Sequence, residues 1–118
     1  MSENKVFDDL KSILEAYESS LVVVHDKPKN YYLNTPVTKE NKKGEFFGAT
    51  QIKKNYVAFH LMPVYCFPEL LDEVSDELKK CMQGKSCFNF KKQEDTLFEE
   101  LKALVETCID KYKSLEKL

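Results

Sequence analysis

Residues 55–67 read NYVAFHLMPVYCF, from Asn55 to Phe67. Within them Val57, Phe59 and Leu61 alternate with Tyr56, Ala58, His60 and Met62. Side chains of a strand point to opposite faces in turn, so the first set shares one face, toward a core. The second set is neither charged nor fully apolar. That is the composition of a shallow groove, or of a sheet face partly covered by another element. Pro63 and Pro68 bracket VYCF, which connects this strand to a helix. Proline suits a first helical turn, where its missing N–H leaves no bond unmade.

Upstream, EFFGATQI (Glu45–Ile52) is a second alternating run, and Lys53-Lys54-Asn55 is a tight polar turn between the two. The pair reads as a hairpin with Lys53 and Lys54 at its tip. Gly48 inside the first arm marks a bulge or a close approach by another backbone. Earlier still, LVVVHD (Leu21–Asp26) is a β-branched run, expected as a buried strand ended by Pro28. Lys29–Thr35 is expected as another strand, closed by Pro36. The polar stretch VTKENKKG (Val37–Gly44) reads as a mobile, lysine-rich loop with Gly44 as its turn residue.

Helices frame these strands. Over residues 4–19, Val6, Leu10, Ile13, Leu14 and Tyr17 recur at helical spacing, with Asp8, Asp9, Glu15 and Glu18 on the opposite face. After Pro68, the residues Leu70, Leu71, Val74, Leu78 and Cys81 repeat with helical period. Ser75 offers a cap for a second short segment, and Gly84 a terminator. Ser86–Lys91 follows as a short strand, with Phe88 and Phe90 opposite Cys87 and Asn89. Thr96–Glu99 has the form of a capping box and opens a helix to about Lys113. Its core face is expected to carry Leu97, Leu101, Leu104, Cys108, Tyr112 and Leu115. The predicted order is α-β-β-β-β-α-β-α. It specifies an α+β fold: a mostly antiparallel sheet of about five strands with helices packed on one side.

Composition narrows the function. The chain has 118 residues, the size of a single domain. Its net charge is −2 and its 18 basic residues are all lysine. Without arginine, the usual bidentate reader of guanine, phosphate and carboxylate is missing, so no nucleic-acid partner is expected. No apolar run approaches the roughly 20 residues of a membrane span, so no membrane association is expected. The acidic, polar start is not a signal peptide, which points to the cytoplasm. Cysteines 66, 81, 87 and 108 form no C-x-x-C pair and match no zinc spacing. They are expected to be reduced and to pack as small buried hydrophobes. The three glycines stand far apart, so no phosphate-cradling loop is present.

The second half of the chain carries a resemblance. KKNYVAFHL, a proline, an acidic leucine-rich helix, then LKKCMQGKSCFNF and a leucine-rich terminal helix resemble the YdhG-like domain of unknown function. That family is small, bacterial and intracellular, and some members are described as frataxin-like iron chaperones. The match covers roughly Gly44 to Tyr112, and GKSCFNFK (Gly84–Lys91) is its most specific part. The family fold agrees with the order derived above, and no catalytic set carries over. The matching positions are Lys53, Tyr56, Phe59, His60, Gly84, Lys85, Cys87, Phe88 and Phe90. Turn and core requirements explain Gly84 and the phenylalanines, and leave Tyr56, His60, Lys53 and Lys85.

Those four are the candidate ligand-binding residues. The expected function is a non-enzymatic binding domain, taking a small molecule or a protein partner against the Tyr56/His60 face, with Lys53 or Lys85 at the rim. Cys66 lies beyond a proline-bounded turn from His60, so no Cys–His dyad is indicated. His25, on the first strand, could approach His60 across the sheet. No cofactor is expected. The alternative, implied by the resemblance, is a frataxin-like iron carrier using Asp8, Asp9 and Glu15, since carboxylate oxygens suit hard cations.

Overall fold

The computed structural model of the chain describes residues 2–37 and 44–118. Helix α1 (Ser2–Glu15) leads through a 3-10 turn (Glu18–Ser20) into four strands: β1 (Val22–Lys27), β2 (Asn30–Asn34), β3 (Phe46–Ile52) and β4 (Val57–Leu61). Helix α2 (Met62–Cys66), a 3-10 turn (Pro68–Leu71) and α3 (Asp76–Lys79) connect to β5 (Cys87–Phe90), and α4 (Asp95–Ser114) ends the chain. The strands lie in the order β1-β2-β3-β4-β5, each antiparallel to the next. The fold is α+β, with the element order read from the sequence.

One face of the sheet carries the core. Tyr31, Leu33, Val57, Phe59, Leu61, Phe88 and Phe90 are buried there in one hydrophobic cluster. Val6, Phe7, Leu10, Ile13 and Leu14 of α1 join it from above, with Phe98, Leu101, Leu104, Val105, Cys108, Ile109 and Tyr112 of α4. The helical stripes match the alternating strand residues, which is why both helices cover the same side.

Gly48 does what its position suggests, in both senses. Leu33 pairs with Gly48 and Asn34 with Phe46, so Phe47 is an extra residue on β3, a bulge. Phe46 stacks on Tyr32 (centroids 4.6 Å apart), while Phe47 meets the Tyr112 ring edge-on at 5.6 Å. A β-carbon on Gly48 would come within 2.9 Å of the His60 carbonyl oxygen.

Several expectations are corrected. The LVVVHD run is an edge strand, not a buried one: Val22, Val23 and Val24 are 47%, 37% and 42% exposed. β-Branched composition favours a strand without saying whether it has one neighbour or two. Its register slips between Val23 and His25, leaving Val24 bulged. The first helix ends at Glu15, and Val64, Tyr65 and Cys66 of VYCF lie within α2, with Phe67 just past its end, rather than in a plain connector. Ser75 caps α3, its hydroxyl accepting from the Leu78 N–H at 3.2 Å, so the predicted helix is indeed interrupted there. Gly84, at φ 84°, closes a reversal of the chain rather than a helix. That reversal lays residues 81–83 along β5: the Gln83 N–H donates to the Cys87 carbonyl at 2.9 Å, and the Asn89 N–H to the Cys81 carbonyl at 2.8 Å. Thr96 is not a cap, because α4 already begins at Asp95 and the Phe98 N–H donates to the Glu94 carbonyl at 2.8 Å. Leu115 is exposed, and Phe98, Val105 and Ile109 complete the buried stripe. Most of the Val37–Gly44 loop, residues 38–43, lies outside the described residues.

Candidate functional site

The sheet face away from the helices is built by the other half of the alternation. Register aligns His25, Tyr32, Ala49, His60 and Cys87 in one row across all five strands. The next row is Lys27, Asn30, Gln51, Ala58 and Asn89. Strands stand about 4.8 Å apart, so each row spans roughly 19 Å. Ala49 and Ala58 are buried beneath their larger neighbours and form a low floor. Around them Tyr32, His60, Gln51, Asn30, Cys87 and Asn89 are half-buried. The Gln51 amide donates to Asn30 Oδ1 at 3.0 Å, and His25 meets the Tyr32 ring edge-on at 5.7 Å.

His60 lies in the middle of this face. Burial holds its imidazole below the ordinary value of 6.5, and the Lys53 charge acts in the same direction. Lys53, at the hairpin tip, is thus near enough for its charge to act on His60. His25 shares its row but stands three strands away, roughly 14 Å, so the two histidines do not meet.

Tyr56 and Lys85 are placed differently from the expectation. Tyr56 sits in the β3–β4 turn and lines a cleft of about 480 Å³ beside β5, a cleft His60 does not line. Lys85 is exposed in the turn before β5, where the Leu61 N–H reaches the Ser86 carbonyl at 2.9 Å. It is thus at the opposite end of β4 from Lys53 and Tyr56. The four residues do not share one cavity.

The neighbour that sequence reasoning missed is Cys87, which pairs with His60 across β4 and β5. Alternation assigned Cys87 and Asn89 to this side; only the register puts Cys87 beside the imidazole. The Cys87 thiol donates to Asn89 Oδ1 at 3.2 Å. Burial pushes it up from the ordinary thiol value, against a weaker downward pull from Lys53 and a Phe59 backbone hydrogen bond. Burial thus favours the uncharged forms of both the thiol and the neighbouring imidazole. Cys66 is exposed in α2, so not every cysteine is a buried hydrophobe. Cys108 is one: burial pushes its thiol up to about 12.

Asp8, Asp9 and Glu15 of α1 are not gathered. Asp8 and Glu15 are exposed, while Asp9 is ion-paired with Lys5 at 3.3 Å and accepts a hydrogen bond from the Gln93 amide. A cation at Asp9 would have to displace both. Among the described residues no group of three His, Cys, Asp or Glu is arranged to hold a metal ion.

No protein-family model, curated protein or solved structure matches this chain. Among the described residues, no helix is long and apolar enough to cross a membrane.

Proposed function

We propose that this chain is a non-enzymatic binding domain whose uncovered sheet face takes a small molecule or a segment of a partner protein. The observation that carries this reading is the His25–Tyr32–Ala49–His60–Cys87 row. Both long helices pack on the opposite face, and this one stays half-exposed. The mixture of aromatic rings, amides and two imidazoles over an alanine floor offers apolar contact together with a few fixed hydrogen-bonding groups. That combination is what small-ligand sites use. Lys53 would supply a positive charge at one end. Four free cysteines support a reducing, cytoplasmic setting. Membership of the YdhG-like family belongs to the same reading and rests on Lys53–Leu61 and Gly84–Lys91.

The test is a fragment screen on the full chain followed by amide NMR shifts. Aromatic and heteroaromatic fragments should perturb a contiguous set that includes Tyr32, Ala49, Ala58, His60 and Cys87. Perturbations confined to α1 and α4, or scattered without a cluster, would remove the reading.

A further inference from the structure

Three connections of the sheet meet at one end. β1 turns into β2 through Lys27, Pro28 and Lys29; β3 turns into β4 through Lys53 and Lys54; β5 leaves through Lys91 and Lys92. Nearest-neighbour strand order sets these connections close together. The Ile52 N–H donates to the Lys29 carbonyl at 3.0 Å, joining the first turn to the second. Lys80, just after α3, reaches the same end at the β5 edge. All seven lysines are exposed. The ion pairs among the described residues are Lys5–Asp9, Lys11–Asp26 and Lys117–Glu45, so none of the seven is paired. On a chain of net charge −2 this is a pronounced local excess of positive charge. The Lys53–Lys54 turn lies two strand spacings, about 10 Å, from Lys91 and Lys92. That exceeds the Debye length of about 8 Å at physiological salt, so the two groups act together only at lower ionic strength and the lysines beside β5 carry the local field.

The cleft of about 480 Å³ opens at this end. Its walls include Tyr56, Asn89, Lys80, Lys91, Lys92 and Glu94. Three lysines against one glutamate leave a local formal charge of +2. The volume falls in the range of small-molecule sites, about 300–1,000 Å³.

We propose that this cleft binds a small organic phosphate bearing a planar ring, of nucleotide size, with the phosphate on Lys80, Lys91 and Lys92 and the ring against Tyr56. The charge balance selects the anion. Glu94 offsets one lysine, so a monoanion gains little and a dianion gains most. A phosphate monoester carries about −1.5 to −2 at pH 7. Lysine binds phosphate as a point charge, whereas a flat carboxylate is best held by the arginine fork, which this chain lacks. Asn89 spends its Oδ1 on the Cys87 thiol, which leaves its NH₂ to donate to the ligand. The lysine row also extends toward β1, as an oligonucleotide backbone would require. The concavity, however, is confined to the β5 side, which favours a compact ligand. The proposal shares Asn89 with the sheet-face reading and otherwise stands on separate residues.

Calorimetric titration of the full chain at about 50 mM salt tests it, using ATP, AMP, adenosine and a short oligothymidylate. AMP and ATP should each bind about tenfold or more tighter than adenosine, and AMP binding no better than adenosine would overturn the proposal. The double variant Lys91→Glu/Lys92→Glu should weaken ATP by about tenfold or more, with its circular dichroism and melting temperature unchanged. His60→Ala should leave ATP affinity within about twofold. Absence of ATP binding at about 1 mM, equal affinity for adenosine and ATP, or indifference to the double variant would overturn the proposal. So would tight oligothymidylate binding that ATP does not displace, which would assign this end to a nucleic-acid strand. Fragment binding lost in His60→Ala while ATP binding persists supports both sites as distinct. ATP failure with fragment binding intact removes this site alone.

Discussion

At Gly48 the nearest obstacle to a side chain is backbone, the carbonyl oxygen of His60, and backbone cannot swing aside as a flexible side chain can. Gly48→Ala should therefore cost about 1–3 kcal/mol in denaturant unfolding, the range for overpacking a tight site. It should also shift the amide signals of β4 around His60. A loss within experimental error would mean that β3 and β4 move apart without strain. His60 itself sets a pH dependence. The unfolded chain protonates it near 6.5, while the folded chain, with the imidazole half-buried and Lys53 nearby, does so only at lower pH. Its contribution is complete above the unfolded value and is lost as pH falls from about 6.5 toward the folded value, because protons then favour the unfolded state. His60→Gln should flatten the melting-temperature profile between pH 7 and about 5, where carboxylates take over. Parallel profiles for the two proteins would assign the slope elsewhere. Alternation alone placed His60 on the face away from the core. What it could not supply was the partner, since Cys87 reaches His60 only through a register between strands that a helical connection separates.

Among the elements, the short α3 depends on a bond network out of proportion to its length. The Ser75 hydroxyl accepts from Leu78 and donates to Glu100 Oε1 at 2.6 Å, while the Ser75 N–H donates to Glu100 Oε2 at 2.6 Å. Ser75→Ala should cost about 1 kcal/mol, and up to about 2. A double-mutant cycle with Glu100→Gln should show a coupling of about 0.5 kcal/mol or more, measured by urea denaturation. Strict additivity would mean that the carboxylate does not tie α3 to α4. Ser75 was legible because capping is a local signature. The start of α4 was not, because Thr96–Glu99 has the form of a capping box, and only the backbone hydrogen bond from Phe98 to Glu94 shows that the helix begins a residue earlier. The first strand was misplaced for a related reason. LVVVHD satisfies the preference of an extended chain equally well at the centre or the margin of a sheet, and neighbours, not propensity, decide burial.

For the molecule as a whole, class and element order followed from local patterns, while strand order and the convergence of the lysines required the assembled sheet. Lys27, Lys53 and Lys91 are scattered along the chain, and an antiparallel progression of neighbouring strands is what makes them adjacent. The same progression leaves β1 outermost with three exposed valines. Replacing Val22 and Val24 by lysine should change stability by no more than about 0.5 kcal/mol, yet slow aggregation on heating, followed by light scattering, because charge on an outer strand discourages pairing with other chains. Unchanged scattering would place the aggregating segment elsewhere. The two margins of the sheet are unequal, since residues 81–83 hydrogen-bond along β5 while, among the described residues, no strand lies outside β1. Such a sheet has a valence of one. Two molecules joined along β1 would each use their single open margin and leave none for a third. By folding part of its own chain over β5, the protein sets a ceiling on self-association: strand-to-strand growth ends at a pair, whereas a sheet open at both margins could extend into a fibre.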